Sequence, residues 1–348
     1  MVVVQSQGEE STTPKTNPMS SKLILSRPFL TPLEIQNCQR KTISDRKLYN
    51  AKKVQIFRYL QEVIIHFKFP RKTLEVTMYL YQRYYLFHPF EAGEIFDVAI
   101  AALYLGCKQV ETMKKMSEII PFCNGLKQHL MSSKINYDLE VYKKELCKYE
   151  FEILNSLAFD SRIFDLNLSI DVLLLKFCKH CELSERDSYM AWIVGLEVLK
   201  LEVLLSFPCH VIAMCCLHLT KELLELQQDD ATNSVLNTDK YNALLESLKL
   251  EKCNRLQCLG SIINFYVKMF EECELSKIFS NVCTLDNFKA LQQKFSNAFP
   301  SRVEEHNVAN TDRSQTTNDD ELLETRYVVN RRYYDSEEQL IQTKKQKL

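Results

Sequence analysis

Apolar residues recur at steps of three and four along most of the chain, which is the spacing of one buried face of an α-helix. The first such stretch runs from Lys52 to Pro70, and the second runs from Lys72 to Phe87. A proline follows or closes each pattern, as expected where a helix ends. No stretch shows the strict alternation of a half-buried strand. The pattern predicts an all-α protein.

A third predicted helix, from Glu94 to Lys108, is the most apolar of the set. Its middle, residues 99–105, combines alanines that let neighbouring helices approach with leucines that fill the remaining gaps. We therefore expect it at the centre of a bundle. It ends at Gly106-Cys-Lys108, where a cation lies at the negative end of the helix dipole. The pattern predicts that a buried helix holds Lys108 at one fixed point of the surface.

Two further segments complete about five helices in the first half. A short one around Met116–Ile120 is expected to stop at Pro121. The other is long and carries an apolar stripe of Leu139, Tyr142, Leu146, Tyr149, Ile153 and Leu157. Glu150 falls beside this stripe, so we expect it at the border of a buried face.

The second half repeats the same plan. Ser184-x-x-Asp187 has the form of a capping box that opens a helix, and Pro208 suits the first turn of the next helix. That next helix contains Ile212–Leu219, which aligns with Val98–Leu105 without a gap. A polar loop is expected at residues 227–240, followed by a last helix around residues 262–269. The pairing predicts two helical repeats, each burying the other's apolar faces.

These patterns divide the chain into four parts. Residues 1–25 are rich in Ser, Thr, Pro and Asn, and we expect them to be disordered. The first repeat is placed at residues 26–160 and the second at residues 161–280. Residues 281–348 form a polar C-terminal tail that we expect to be mobile.

Composition narrows the possible functions. The hydrophobic fraction of 46% is enough for a full core, whereas six glycines leave little material for phosphate-binding loops, and no such motif occurs. We therefore expect no cofactor and no nucleotide site. The formal net charge of -1 gives no overall attraction to nucleic acid or to an anionic membrane. Partner proteins are the expected targets.

The 13 cysteines are scattered through apolar helical patterns, and the chain shows no signal-peptide pattern, which favours a reducing compartment. Cys178 and Cys181 have redox-motif spacing but no strand-turn-helix context, so we interpret them as core residues. The longest uncharged run, Val203 to Thr220, is interpreted as two buried helix pieces that meet at Phe207-Pro208 rather than as a membrane span.

Several motifs resemble the cyclin family. Residues 105–112 are similar to the end of the central helix of a cyclin box, and residues 70–87 resemble the second box helix of transcription-type cyclins such as cyclins K and T. Residues 26–30, 42–45 and 69–75 together look like the beta, cyclin-like subunits of fungal kinases that phosphorylate the C-terminal domain of RNA polymerase II. The resemblance covers roughly residues 26 to 275. It implies tandem five-helix cyclin-box repeats.

The resemblance implies a non-enzyme that binds and activates a cyclin-dependent kinase by contact. In cyclins, a lysine and a glutamate corresponding to Lys108 and Glu150 bind the kinase's mobile helix. Leu154 and Leu157 would add apolar contact, and Glu111 is the second of the glutamates that usually follow the lysine. The first of that pair is Val110 here. From the residues alone, Glu150 also fits a solvated helix glutamate, and Lys108 a lysine stabilised by the helix dipole.

The resemblance also implies the wider setting. The kinase would phosphorylate the heptad repeats of the polymerase tail and support transcription elongation, with the nucleus as the expected location and the cytoplasm as a second one. A third, small helical subunit is expected beside the kinase, on exposed residues of the second repeat. A membrane is not expected as a partner, and neither is nucleic acid.

Other interpretations stay open. A basic run, listed as Arg46, Lys47, Lys52, Lys53 and Arg58, would suit phosphorylated substrate or nucleic acid, or be a solvated helix face. Promoter-binding factors of the TFIIB type also have two cyclin-like repeats, although a zinc ribbon would need paired cysteines before Cys107. A helical scaffold is a further alternative. In the tail, residues 326–334 suit a partner-binding strand and residues 344–347 a nuclear import signal.

Overall fold

The structure is a computed structural model, and it describes residues 29–131, 138–161, 169–226 and 236–296. Within these ranges it consists of helices, turns and loops without a strand, so the predicted all-α class is confirmed. The helices are α1 (Pro32–Thr42), α2 (Arg46–Phe67), α3 (Arg71–Tyr84), α4 (Ile95–Gln109), α5 (Met116–Met131), α6 (Leu139–Ser156), α7 (Ile170–His180), α8 (Glu185–Glu197), α9 (Val203–Ser206), α10 (Cys209–Glu225), α11 (Thr238–Ser247), α12 (Lys252–Lys268), α13 (Glu274–Ile278) and α14 (Leu285–Ser296).

Helices α2–α6 form the first five-helix repeat, and α7, α8, α10, α11 and α12 form the second. Helix α4 lies at the centre of the first repeat against α2, α3, α5 and α6, and α10 packs against α7, α8 and α12 in the second. Within the aligned segments, every residue of 98–105 and 212–219 is buried except Tyr104 and His218, which occupy the same aligned position. The predicted equivalence of the two central helices is confirmed down to this one half-buried position.

Helices α3 and α4 approach each other closely at Gly106. A Cβ atom added at Gly106 would lie 2.7 Å from Thr77 Oγ1. The Thr77 hydroxyl cannot move away freely, because it donates a hydrogen bond of 2.6 Å to the Thr73 carbonyl. Gly106 therefore sets the distance between these helices and fixes the end of α4 against α3.

Helix α3 also joins the two repeats. Its first residue, Arg71, stacks 4.5 Å from the Trp192 ring and donates a 3.1 Å hydrogen bond to the Trp192 carbonyl. One turn later, the Glu75 carboxylate accepts a 2.9 Å hydrogen bond from the Ile170 amide. Burial raises the pKa of Glu75 even though this bond and a Cys209 thiol bond favour its charged form. The repeats are therefore connected by buried polar contacts as well as by the core.

A second connection lies on the other side of the junction. Lys53 of α2 is buried and its ammonium lies 2.5 Å from the Glu202 carboxylate, which also accepts a 3.3 Å hydrogen bond from Gln39 of α1. The Leu30 amide donates a 2.8 Å hydrogen bond to the Leu205 carbonyl. The segment before α2 therefore belongs to both repeats.

Helix α1 was not predicted, although its signal is in the sequence. Thr31 and Glu34 form a capping box: the Thr31 hydroxyl accepts from the Glu34 amide at 3.2 Å, and Glu34 accepts from the Thr31 amide at 2.8 Å. Pro32 occupies the first helical position, where its missing N–H costs nothing. The helix has few apolar positions, so its periodicity is weak.

Helix α5 corrects the expectation that Pro121 ends a short segment. The helix continues to Met131 with Pro121 inside it. Ile120 before the proline and Cys123 after it are both buried, while the proline ring is exposed. Tertiary burial on both sides therefore outweighs the one hydrogen bond that proline removes.

Helical structure continues further toward the C-terminus than expected. The polar tail was placed from residue 281, but α14 packs its Phe288, Leu291 and Phe295 against α10 and α12. Three buried apolar residues among twelve are enough for a one-sided helix. Helix α11 likewise begins at Thr238, inside the expected loop. The predicted disordered segment 1–25 and the tail beyond residue 296 lie outside the described residues.

Candidate functional site

Lys108 is exposed at the end of α4, as predicted. Its ammonium lies 4.6 Å from the centre of the Tyr104 ring, one turn earlier on the same helix. Gly106 and Cys107 are buried immediately before it, so the backbone that carries Lys108 is held by the core. The buried helix fixes the position, and the cation–π contact restricts the side chain.

Glu150 lies on α6 beside the end of α4, and its carboxylate forms an ion pair with the Lys108 ammonium. The Glu150 side chain is 13% exposed and the Lys108 side chain 37% exposed. The two predicted residues, 42 positions apart in sequence, therefore form one charged unit. Each alternative interpretation, a solvated glutamate or a dipole-stabilised lysine, leaves out this pairing.

Glu111 follows α4 in the left-handed region, with a φ of 57°. Its amide donates to the Lys108 carbonyl at 3.4 Å, and the Thr112 amide donates to the Cys107 carbonyl at 2.9 Å, which is the pattern of a Schellman cap. The Thr112 hydroxyl also lies 3.1 Å from the Thr73 hydroxyl on α3. The Glu111 side chain is exposed beside Lys108, at a backbone position that glycine usually occupies.

The predicted leucines differ in exposure. Leu154 is half-buried, whereas Leu157 is only 4% exposed and closes the core at the end of α6. Leu157 continues the buried stripe through Ile153, so most of its side chain packs in the core of the free chain. Its contact with the kinase stays a prediction.

An aromatic pair supplies exposed apolar surface at this end of α6. Phe151 is 61% exposed and Phe159 is 58% exposed, and their ring centres are 5.9 Å apart. The chain turns back after α6 because Ala158 and Phe159 both have positive φ, and the Phe159 amide donates to the Leu154 carbonyl at 2.9 Å. Sequence reasoning missed this pair. Both rings lie outside the buried apolar stripe of α6. Large aromatic residues at such positions were the only feature of the sequence that could have pointed to this pair.

Three of the five basic residues of the run on α2 form contacts with other side chains of the protein. Lys53 pairs with Glu202, and Arg58 lies 2.5 Å from the Glu272 carboxylate. Lys52 donates a 3.1 Å hydrogen bond to Gln55, one turn along α2. The run is therefore not one continuous basic face: Lys53 is buried and Arg58 is paired, whereas Arg46 and Lys47 at the start of α2 stay exposed.

The remaining predictions concern the cysteine pair, a metal site, a membrane span and the tail motifs. Cys178 and Cys181 are both buried at the end of α7, and burial raises the pKa of each thiol. Within the described ranges, no group of three or more His, Cys, Asp or Glu side chains is placed to hold a metal ion. In the same ranges, no helix has both the length and the apolar character needed to cross a bilayer. The tail motifs at 326–334 and 344–347 lie outside the described residues.

Comparison with known proteins identifies the fold family. The family described as "Cyclin, N-terminal domain" matches residues 29–162, a range that contains all five predicted site residues. The "CTD kinase subunit beta" of Saccharomyces cerevisiae is 34% identical over 315 residues, which cover 89% of this chain and 93% of that protein. The chain belongs to the cyclin family. Within it, this cyclin groups with the CTD kinase beta subunits.

Two further similarities agree with this placement. The "CTD kinase subunit beta" of Schizosaccharomyces pombe is 27% identical over 210 residues, covering 59% of this cyclin and 60% of that protein. A chain in the crystal structure of the yeast RNA Pol II CTD kinase CTDK-1 complex has a TM-score of 0.68 and 30% identity. That similarity covers 88% of this cyclin and 90% of the yeast chain. The tandem cyclin repeats predicted from the sequence are confirmed.

Proposed function

We propose that this cyclin is the regulatory subunit of a cyclin-dependent kinase that phosphorylates the heptad repeats of the RNA polymerase II C-terminal domain in support of transcription elongation. The similarity to a named CTD kinase subunit over nearly the whole chain supports this proposal. In it, the chain contributes no catalytic residue and no cofactor, and it acts in the nucleus. The kinase subunit is the partner that performs the chemistry.

The observation that carries the proposal is the surface formed by Lys108, Glu150, Phe151 and Phe159, which we call the α4–α6 surface. A charged pair joins the end of α4 to α6, and two exposed aromatic rings lie on α6 and in the turn that follows it. Mixed surfaces of this kind, with aromatic anchors and few charges, are typical of specific protein interfaces. We propose that the kinase's mobile helix docks here, with the first repeat (26–160) making the contact and the second (161–280) supporting it.

Docking would activate the kinase by holding that helix inward, so that its glutamate pairs with the ATP-binding lysine. Moving a two-state helix from mostly out to mostly in needs about 5.5 kcal/mol of differential binding. A surface ion pair supplies only about 0–1 kcal/mol. Burying the exposed parts of Phe151 and Phe159, about 240 Å² at roughly 25 cal/mol per Å², supplies about 6 kcal/mol before association costs. The aromatic pair therefore contributes more of the energy than the charged pair, which sets the register.

The ion pair allows a decisive charge-swap experiment. Lys108→Glu and Glu150→Lys each place two like charges together, whereas the double variant restores the pair with reversed polarity. If the pair only stabilises the fold, the double variant should activate the kinase as well as the natural protein does. If it contacts the kinase, the double variant stays inactive, because each reversed charge loses a desolvated contact worth about 2–5 kcal/mol, or about 30-fold to several-thousand-fold in affinity.

The measurement is phosphate transfer to a heptad-repeat peptide by the kinase, with and without this cyclin and its variants. We expect activity to depend on the cyclin and to be lost in both single variants and in the double variant, with the helical circular dichroism of the double variant unchanged. Full activity of the double variant would refute the α4–α6 surface as the kinase contact. Activity that is independent of the cyclin, without co-purification, would instead favour the promoter-DNA or scaffold alternatives.

We also propose a third, small helical subunit in the complex. Exposed apolar side chains on the second repeat support this part of the proposal: Val172 is 43% exposed and Leu175 is 49% exposed, one turn apart on α7. Such a pair suits the apolar face of a partner helix. Co-expression with and without Leu175→Asp tests it, and an unchanged three-subunit stoichiometry in the variant would exclude α7 as the contact.

A further inference from the structure

A cleft of 540 Å³ lies between the two repeats, away from the α4–α6 surface. Its walls come from α1, α2, the segment 200–207 and α12. None of the predicted kinase-binding residues lines it, so its chemistry is independent of the kinase contact.

The side chains of the cleft carry an excess of positive charge. Arg46, Lys53, Lys200 and Lys268 line it, and Glu202 is the one carboxylate among the lining residues. Two of the cations are already neutralised, since Lys53 pairs with Glu202, and Lys200 lies 2.9 Å from the buried Glu197 carboxylate. Four cations against two carboxylates leave a net charge of +2.

This excess charge belongs to Arg46 and Lys268. Both side chains are exposed at the rim of the cleft, and within the described ranges neither has a carboxylate at ion-pair distance. Arg46 is the first residue of α2 and Lys268 the last residue of α12, so one cation comes from each repeat. An anionic group between them would be held by both halves of the molecule.

The other lining groups specify the kind of anion. Asn50 and Ser206 offer hydrogen-bonding groups, and Asn264 uses its carbonyl oxygen to accept from Gln292 at 2.6 Å, which leaves its amide N–H groups free to donate. The remaining wall is apolar, with Ile35, Val54, Leu201, Phe207 and Met269. Arginine and lysine beside amide donors suit a phosphate, and the apolar wall suits the residues on either side of it in a peptide.

We propose that this cleft binds a phosphorylated segment of the heptad-repeat substrate, with a phosphoserine between Arg46 and Lys268. The inference rests on the proposed function, because it takes the kinase's own product as the ligand. Holding a phosphorylated repeat on the cyclin raises the effective concentration of the neighbouring repeats at the kinase. Nucleic acid is a poorer match, since it needs an extended basic face and this is a recess with an apolar wall.

The test is titration calorimetry of the full chain, without kinase, against a peptide of several heptad repeats with and without phosphoserine. We expect the phosphorylated peptide to bind at least about tenfold more tightly. The double variant Arg46→Gln, Lys268→Gln should lose this preference. Lys47→Gln with Lys289→Gln is the matched control, because it removes two equally exposed cations that do not line the cleft.

Each other outcome overturns the proposal. Equal affinity for the two peptides would show that phosphate is not recognised, and an equal loss in the control pair would show general charge attraction rather than a site. Tighter binding of a DNA duplex than of the phosphopeptide would assign the cleft to nucleic acid. Because no kinase is present, failure here leaves the proposed function standing. Conversely, the Lys108 and Glu150 variants test that function without touching the cleft.

Discussion

Glu111 combines a predicted kinase-binding position with an unfavourable backbone conformation. Left-handed φ costs a non-glycine residue about 1–2 kcal/mol, and the Schellman cap after α4 requires it here. Among the residues that the structure describes, the exposed Glu111 side chain has no hydrogen-bond partner that would offset this cost. Lys68, Glu182 and Lys249 have the same left-handed φ outside the predicted kinase-binding site, so strain alone does not assign the Glu111 side chain a role in binding, and substitution is needed to test that role.

We predict that Glu111→Gly stabilises the free cyclin by about 0.5–1 kcal/mol while weakening kinase binding, because glycine relieves the backbone but removes the carboxylate. Urea unfolding and kinase affinity measured on the same variant test the two halves separately. Glu111→Asn is the control, since asparagine tolerates the left-handed region but has no charge. Undiminished kinase affinity in both variants would show that Glu111 serves only the cap.

At the residue scale, the sequence indicated Lys108, Glu150 and Glu111 through the motif that they share with cyclins. The ion pair between Lys108 and Glu150 was not predictable, because it depends on the axial position of α6 relative to α4. Phe151 and Phe159 were missed for a different reason. Helical periodicity finds residues that face the core, and an exposed aromatic ring is an exception to that pattern.

At the scale of helices, the contact between α3 and α4 depends on the missing side chain of Gly106. We predict that Gly106→Ala destabilises the cyclin by about 1 kcal/mol, because a Cβ pressed against Thr77 costs about 1–3 kcal/mol and alanine's helix propensity returns only about 1 kcal/mol. Thermal unfolding followed by circular dichroism measures this.

Gly125 provides the matched control. It lies inside α5, where an added Cβ would meet nothing within 4 Å, so Gly125→Ala should stabilise the cyclin by about 0.5–1 kcal/mol. Thr77→Ala combined with Gly106→Ala should cost less than the sum of the two changes, because removing the hydroxyl makes room. Simple additivity would contradict the close approach.

The helices that were predicted best are those whose periodicity is strong, α2, α3, α4, α6 and α10. Helix α1 has weak periodicity and is defined by its cap, and α14 has only three buried apolar positions. Helix α5 continues past Pro121 because of what packs against it. Tertiary contacts of this kind lie outside any local pattern, which is why α5 was cut short, whereas α1 and α14 were missed because their apolar periodicity is weak.

At the scale of the whole molecule, the Lys53–Glu202 ion pair is a polar link across the junction. Burial acts to raise the pKa of Glu202, but the Lys53 ammonium and its hydrogen bond hold that pKa below its ordinary value. A carboxyl with a lowered folded-state pKa stabilises the protein above its unfolded-state pKa, and this stabilisation is lost as the pH falls through the folded-state value.

We predict that Lys53→Met destabilises the cyclin by about 3 kcal/mol at neutral pH, because Glu202 is left charged without its cation. Burial then raises the pKa of Glu202, so the difference from the natural protein should shrink as the pH is lowered toward 4. Urea unfolding at both pH values measures it. Adding Glu202→Gln to Lys53→Met should recover most of the loss at neutral pH. A pH-independent difference would mean that lost packing, not charge, is responsible.

The stack of Arg71 on Trp192 gives this protein a built-in optical probe. The chain has one tryptophan, and the guanidinium 4.5 Å from its ring comes from the other repeat. Indole emission therefore reports on contact between the repeats, whereas far-ultraviolet dichroism reports on the helices of both. Coincident transitions of the two signals mean one cooperative unit. An earlier change in emission means that the two halves come apart before either one melts.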